Sequence, residues 1–185
     1  MKSQKKSCNT ALLAAGPFIQ TNSGEQSFQH TIKFDDLRLT FFWNDSTETD
    51  NLDDLSLVTF LKYSDINIIF PGDLTTKGWQ RLLNHPEFVE QLKQINLFVA
   101  SNHGQSVGYC ADIFKYCHPQ LVIISNDIDH TVSEEMMKRY ASHAKGTAVD
   151  QANRQLLMTH RDGRINISRY LDRRLKITTE PIYRN

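Results

Sequence analysis

Two residues of metal-binding type stand at corresponding places in the chain. The apolar run INIIF (residues 66–70) leads through Pro71-Gly72 to Asp73, and LFVA (residues 97–100) leads through Ser101-Asn102 to His103-Gly104. A carboxylate offers two hard oxygens able to bridge ions, and an imidazole nitrogen suits zinc. Taken alone, an Asp after such a turn commonly caps a helix, and a His in a polar loop commonly faces solvent. Their recurrence at successive strand ends is what favours the metal reading. Gly104 strengthens it, because glycine lets the backbone approach a ligand closely. His130, in NDIDHTVSEE, is a third candidate, and its neighbours leave it equally an exposed His ahead of a helix.

A third apolar run, LVIIS (residues 121–125), follows the first two, and segments of helical period separate all three. Short runs of Ile, Val, Leu and Phe in that setting predict strands buried in an α/β layer. Ligands of such sheets bind in the crevice beyond the carboxyl ends of the strands, where Asp73 and His103 would converge.

The order PGDL, helix, strand into SNHGQS, then strand ending VIISND resembles the C-terminal half of a metallo-β-lactamase-fold domain. The branch it is most similar to is the one fused to ComEC-type DNA-uptake proteins, whose corresponding stretches read TGD, PHHGS and an apolar run ending in IIS. The resemblance covers residues 28–168. It implies an α/β fold, half of an αββα sandwich with a mixed sheet flanked by helices. It further implies a metal-dependent hydrolase of phosphodiester or other ester bonds, with Asp73 bridging two ions and His103 and His130 as further ligands. Asn102 stands where the branch has an additional His, so Asn102 and Gly104 become supporting neighbours of the ligand.

The family's other metal motif, HxHxDH, has no counterpart among the 185 residues, and the seven histidines are scattered. The chain therefore resembles half of a hydrolase. No catalytic residue is assigned, and a two-metal site holding zinc or manganese is expected only if the missing half is supplied, by a partner chain or by a second copy. The alternative is a non-catalytic binding or assembly module with the same fold.

Composition bounds the partners. Lys+Arg and Asp+Glu both total 21, giving a formal net charge of zero, which does not support a dedicated nucleic-acid binder. The odd count of three cysteines, Cys8, Cys110 and Cys117, points to a reducing, cytoplasmic setting, with Cys110 and Cys117 as buried positions on one helix. Residues 1–27 read as a poorly ordered leader whose apolar run is broken by Gly16-Pro17, and residues 28–185 as one domain. No stretch reaches the ~20 apolar residues of a membrane span.

Elsewhere the pattern predicts a hairpin of strands 30–34 and 37–43 at the centre of a layer, with Leu37, Leu39, Phe41 and Trp43 on its buried face. A solvated acidic loop follows at 44–54, then strands 55–63 and 66–70. Helices are expected at 75–83 with Thr75 as cap, from Pro86 with Phe88, Val89, Leu92 and Ile95 inward, at 109–117, and at 132–143. Arg161-Asp162-Gly163 reads as a hairpin turn between strands 155–160 and 164–168. Near the C-terminus lie a strand at 175–178 and a basic cluster of Arg169, Arg173, Arg174 and Lys176.

Overall fold

A computed structural model of the chain describes residues 29–129, 131–169 and 175–180. The leader, His130, Arg173 and Arg174 lie outside the described residues. The fold is mixed α/β. A seven-stranded sheet runs in the order β1 (Gln29–Phe34), β2 (Leu37–Phe42), β3 (Val58–Tyr63), β4 (Ile66–Phe70), β5 (Leu97–Val99), β6 (Leu121–Ile124) and β9 (Leu156–Met158). β1 to β4 are antiparallel, whereas β4, β5, β6 and β9 are parallel. A second sheet has the order β10 (Arg164–Arg169), β11 (Leu175–Glu180), β7 (Thr147–Val149) and β8 (Ala152–Arg154).

The strand runs are legible because each central one is apolar on both faces, and both faces are used. On one side Phe42, Phe60, Ile69, Phe98, Val122 and Ile124 meet the helices α1 (Thr76–Leu82), α2 (Pro86–Leu92) and α3 (Glu134–Ser142). Trp79, fully buried, anchors this layer by stacking on Phe98 and donating its indole N–H to the Gly108 carbonyl at 3.1 Å. On the other side Ile66, Ile68, Leu97, Leu121, Ile123 and Leu157 meet Val149 and Ile177 of the second sheet. The order across the molecule is therefore helices, large sheet, small sheet.

The helix starts follow capping chemistry. Thr75 accepts from Lys77 N, Pro86 occupies the first turn of α2, and Ser133 accepts from Met136 N. Phe88, Leu92 and Ile95 are buried as their spacing predicts, while Val89 is half-buried.

Five expectations are corrected. The β1–β2 hairpin lies at the edge of the sheet, not its centre, and β1 is largely exposed. Thr40 and Phe42, not Leu39 and Phe41, face the helix core, because the strand's second face carries apolar residues too. The acidic loop is anchored: Asn44 and Asp54 are buried, a 3₁₀ turn occupies Leu52–Leu55, and β3 starts only at Val58. Ala111–Lys115 is a short 3₁₀ segment that leaves Cys110 and Cys117 beyond its ends, both buried with free thiols. Burial pushes the Cys117 thiol up to about 12.

The fifth concerns the Asp-Gly pair. β9 and β10 belong to different sheets, and a single helical turn, α4 (Thr159–Asp162), connects them. Asp162 does not cap a hairpin. It receives Arg154, Arg161 and the Met158 N–H, and Gly163 adopts φ 80° to redirect the chain. The hairpin is instead β10–β11, joined across residues 170–174.

Candidate metal-binding edge

The parallel strands β4, β5, β6 and β9 all point their carboxyl ends to one rim. β4 exits through Gly72 (φ 65°) into Asp73. β5 exits into three consecutive left-handed residues, Asn102 (φ 48°), His103 (φ 52°) and Gly104 (φ 82°). Glycine takes such a φ without cost and asparagine tolerates it, but for a histidine it costs about 1 kcal/mol or more. The strain persists only because the surroundings fix the loop.

Those surroundings are specific. Asn102 N donates to the Gly72 carbonyl at 3.1 Å, and its side-chain amide donates to the Asp73 carbonyl at 3.1 Å. The Ser101 hydroxyl, fully buried, bonds to the Leu74 carbonyl and also approaches that of Gly72 at 3.2 Å. The Asp73 N–H donates to the Ser56 hydroxyl at 3.1 Å. The two loops are thereby stitched together.

His103 is oriented from β6. Its Nδ1 lies 2.7 Å from the Ser125 carbonyl, an atom that only accepts, so Nδ1 carries the proton and Nε2 is the atom turned toward Asp73. Nε2 and Asp73 Oδ1 are 3.6 Å apart, too long for a good hydrogen bond. Two ligand bonds of about 2.1 Å at a tetrahedral to trigonal angle would place their donor atoms roughly 3.4–3.6 Å apart, so the pair fits one ion held between them. Both side chains are partly exposed, 42% for His103 and 53% for Asp73, leaving room for further ligands.

The donor set stops short of a hydrolytic centre. Among the described residues no group of three or more His, Cys, Asp or Glu gathers in a way that could hold an ion. A catalytic zinc takes three protein ligands and a two-metal site takes more. The described residues therefore fit one corner of such a centre and no complete one.

β6 itself ends in a lock. Asn126 N donates to the Thr159 hydroxyl at 2.8 Å, which in turn donates to the Asn126 carbonyl at 2.6 Å. His160 is exposed and contributes its backbone N–H to the Asn126 side chain at 3.4 Å, so it stands near the rim as a structural neighbour.

Sequence reasoning missed the group that holds the Asp73 loop from behind. Asp54 is 1% exposed and accepts from the Thr75 hydroxyl, from Thr75 N at 3.2 Å and from Arg81 at 2.8 Å. Burial pushes its carboxyl up, but the Thr75 and Arg81 hydrogen bonds outweigh that, and the net shift is downward. Asn44 donates to the Asp54 and Gly78 carbonyls, tying the acidic loop to α1. Within the run NLDD nothing in the sequence distinguishes Asp54 from its exposed neighbour Asp53.

Compared by sequence, the chain matches no protein-family model and no curated protein. The class that the described residues establish is a mixed α/β protein with a large mixed sheet. No helix among them is long and apolar enough to cross a membrane.

Proposed function

We propose that this chain is the C-terminal half of a metallo-β-lactamase-like hydrolase, incomplete as a catalyst without further metal ligands. The observation that carries the reading is the 3.6 Å approach of His103 Nε2 to Asp73 Oδ1 at the carboxyl ends of β4 and β5, with the imidazole tautomer set by Ser125. Asp73 supplies an anionic oxygen and His103 a neutral nitrogen, the pairing that zinc or manganese accepts. A metal bound there would supply an activated water for ester or phosphodiester hydrolysis once its remaining ligands were present. This chain's own contribution is to hold two donor atoms at fixed separation on a rigid sheet edge. His130 is the third proposed ligand, following the β6 exit.

Elemental analysis of the purified chain for zinc and manganese, beside an Asp73→Ala/His103→Ala variant, tests this reading. Metal retained by the wild type and lost by the variant supports it. Equal metal content in both, after each has been equilibrated with excess zinc or manganese, overturns the assignment of Asp73 and His103 as ligands.

A second reading is favoured by a separate observation. The β1–β3 part of the large sheet leaves Phe34 60% and Tyr63 43% exposed, an apolar surface of the kind an assembly module presents. On this reading the fold serves to bind a partner and the rim is a relic.

A further inference from the structure

Three cations stand side by side across the antiparallel half of the large sheet. The register sets Lys33 of β1 opposite Arg38 of β2, and Arg38 opposite Lys62 of β3. All three are exposed, on the same side of the sheet as Thr40, Phe42 and Phe60. Like charges placed directly opposite one another on a sheet repel and destabilise it. A carboxylate at the middle position would relieve that repulsion, yet an arginine stands there. Among the described residues none of the three forms an ion pair, and Lys62 reaches only the uncharged Gln94 Oε1, at 3.3 Å.

The row lines a cavity of about 350 Å³ at the end of the sheet where β1 turns into β2 and β3 into β4. Arg169 of β10 is a fourth cation in its wall, held beside Asp65 with Nε 2.9 Å from Oδ1 but without the alignment of a hydrogen bond. The carboxylates of the wall are Asp35 and Asp36 on the β1–β2 turn, both exposed. With Arg169 matched by Asp65, the row still outnumbers these two, so positive charge is concentrated here in a chain whose formal net charge is zero.

An anion in the cavity would supply the missing counter-charge. Neighbouring strands lie about 4.8 Å apart, which makes the row roughly 10 Å long at the backbone. A single carboxylate is too short to meet all three side chains, whereas linked phosphate groups can. Arg38, at the centre, offers a planar fork to phosphate oxygens, and the lysines act as point charges on either side. The volume falls at the small end of the ~300–1,000 Å³ typical of small-molecule sites. A long polyanion continuing past the turns would meet Asp35, Asp36 and Asp65.

We propose that this cavity binds the phosphate chain of a small molecule, two or more linked phosphate groups, through Lys33, Arg38 and Lys62. The site is separate from the metal edge, because it opens beside the start of β4 and Asp73 follows that strand's end.

Calorimetric titration of the full chain with pyrophosphate, in EDTA so that no metal at the Asp73 edge contributes, tests the proposal. Pyrophosphate should bind once per chain, more tightly than inorganic phosphate, and should raise Tm. Arg38→Gln should weaken binding by at least about tenfold. It should leave the Tm of the free chain equal or higher, because the fold is kept and the repulsion relieved. Asp35→Asn, where asparagine tolerates the left-handed φ of 44°, should tighten binding. No saturable binding by the wild type, or equal affinity in Arg38→Gln, overturns the proposal. So does an oligothymidylate or a phosphatidylserine vesicle that binds more tightly than pyrophosphate and loses that binding in Arg38→Gln, because the occupant is then a nucleic acid or a membrane and not a small molecule.

Discussion

His103 faces Asp73 across 3.6 Å with its other ring nitrogen already committed to the Ser125 carbonyl. The geometry turns a polar loop into a directional donor pair, because the tautomer is set by a backbone acceptor that cannot itself donate. Zinc titration followed by calorimetry should show one weak site. Either His103→Ala or Asp73→Ala should weaken it by more than the roughly 10–100-fold that loss of an outer partner costs. An Asn102→Gly variant, which removes the side-chain bond to the Asp73 carbonyl without straining the left-handed backbone, should weaken it less than either. Equal effects from all three variants would mean that the loop, and not the donor atoms, sets the affinity.

The buried Asp54 predicts a stability effect at a distance from the rim. Removing it leaves Arg81 without its partner and frees the Thr75 N–H and hydroxyl. Breaking a buried pair in this way costs on the order of 3 kcal/mol. In a chain of this size Tm should fall by roughly 6–12 °C for Asp54→Ala. Asp53→Ala, three bonds away in the sequence and exposed, should change Tm by no more than about 2 °C. Thermal unfolding of the two variants side by side distinguishes an anchored loop from a solvated one.

Much of the fold was legible because period and punctuation agreed. β1 to β6 carry apolar runs bounded by Asp-Asp, Ser-Asp and Pro-Gly turns, and Thr75, Pro86 and Ser133 announce helix starts. What was not legible depends on contacts between segments far apart in sequence. β7 and β8, three residues each, take their strand character from pairing rather than from composition. The Asp-Gly at 162–163 carries a hairpin's local chemistry, yet β9 was already committed beside β6, so the chain had to turn toward the second sheet. At the rim, Asp73 and His103 were identifiable by type and place. Ser56, Ser101 and Ser125, which orient them, act through hydroxyls or a backbone carbonyl that any residue run can contain.

Stability should respond to pH in two windows. His143 stacks on Phe114 with ring centroids 3.9 Å apart, and its Nε2 lies 2.8 Å from the Tyr109 hydroxyl. Burial, with a smaller push from His118, holds its pKa below the ordinary 6.5. The unfolded chain therefore takes up the proton first, and stability falls as pH drops from about 6.5 toward the lowered folded value. Asp54 and Asp162 act in a lower window. Burial raises both, but hydrogen bonds from Thr75 and Arg81 to the first, and from Arg161, Met158 N and Arg154 to the second, leave their pKa values below 3.8. Their contribution is complete above the unfolded value near 3.9 and is lost as pH falls through the folded ones. Urea unfolding from pH 8 to 3 should show both losses. His143→Phe, which keeps the stacking and removes the titration, should abolish the upper one alone.

Gly104 gives the most discriminating variant, because two separate costs meet there. Its φ of 82° is strained for any other residue, and an added Cβ would lie 2.9 Å from Ile124 Cγ2 in a fully buried position. Backbone strain of about 1 kcal/mol and overpacking of roughly 1–3 kcal/mol should sum in Gly104→Ala. Ile124→Ala alone should cost about 2–5 kcal/mol through the cavity it opens. In the double variant the new methyl enters that cavity, so the steric part vanishes and the total should fall short of the sum of the singles by at least about 1 kcal/mol. Chemical denaturation of the four proteins measures this coupling. Strict additivity would mean that the loop moves aside instead of pressing on Ile124, and zinc affinity of the single Gly104→Ala variant would then report how far His103 moved with it.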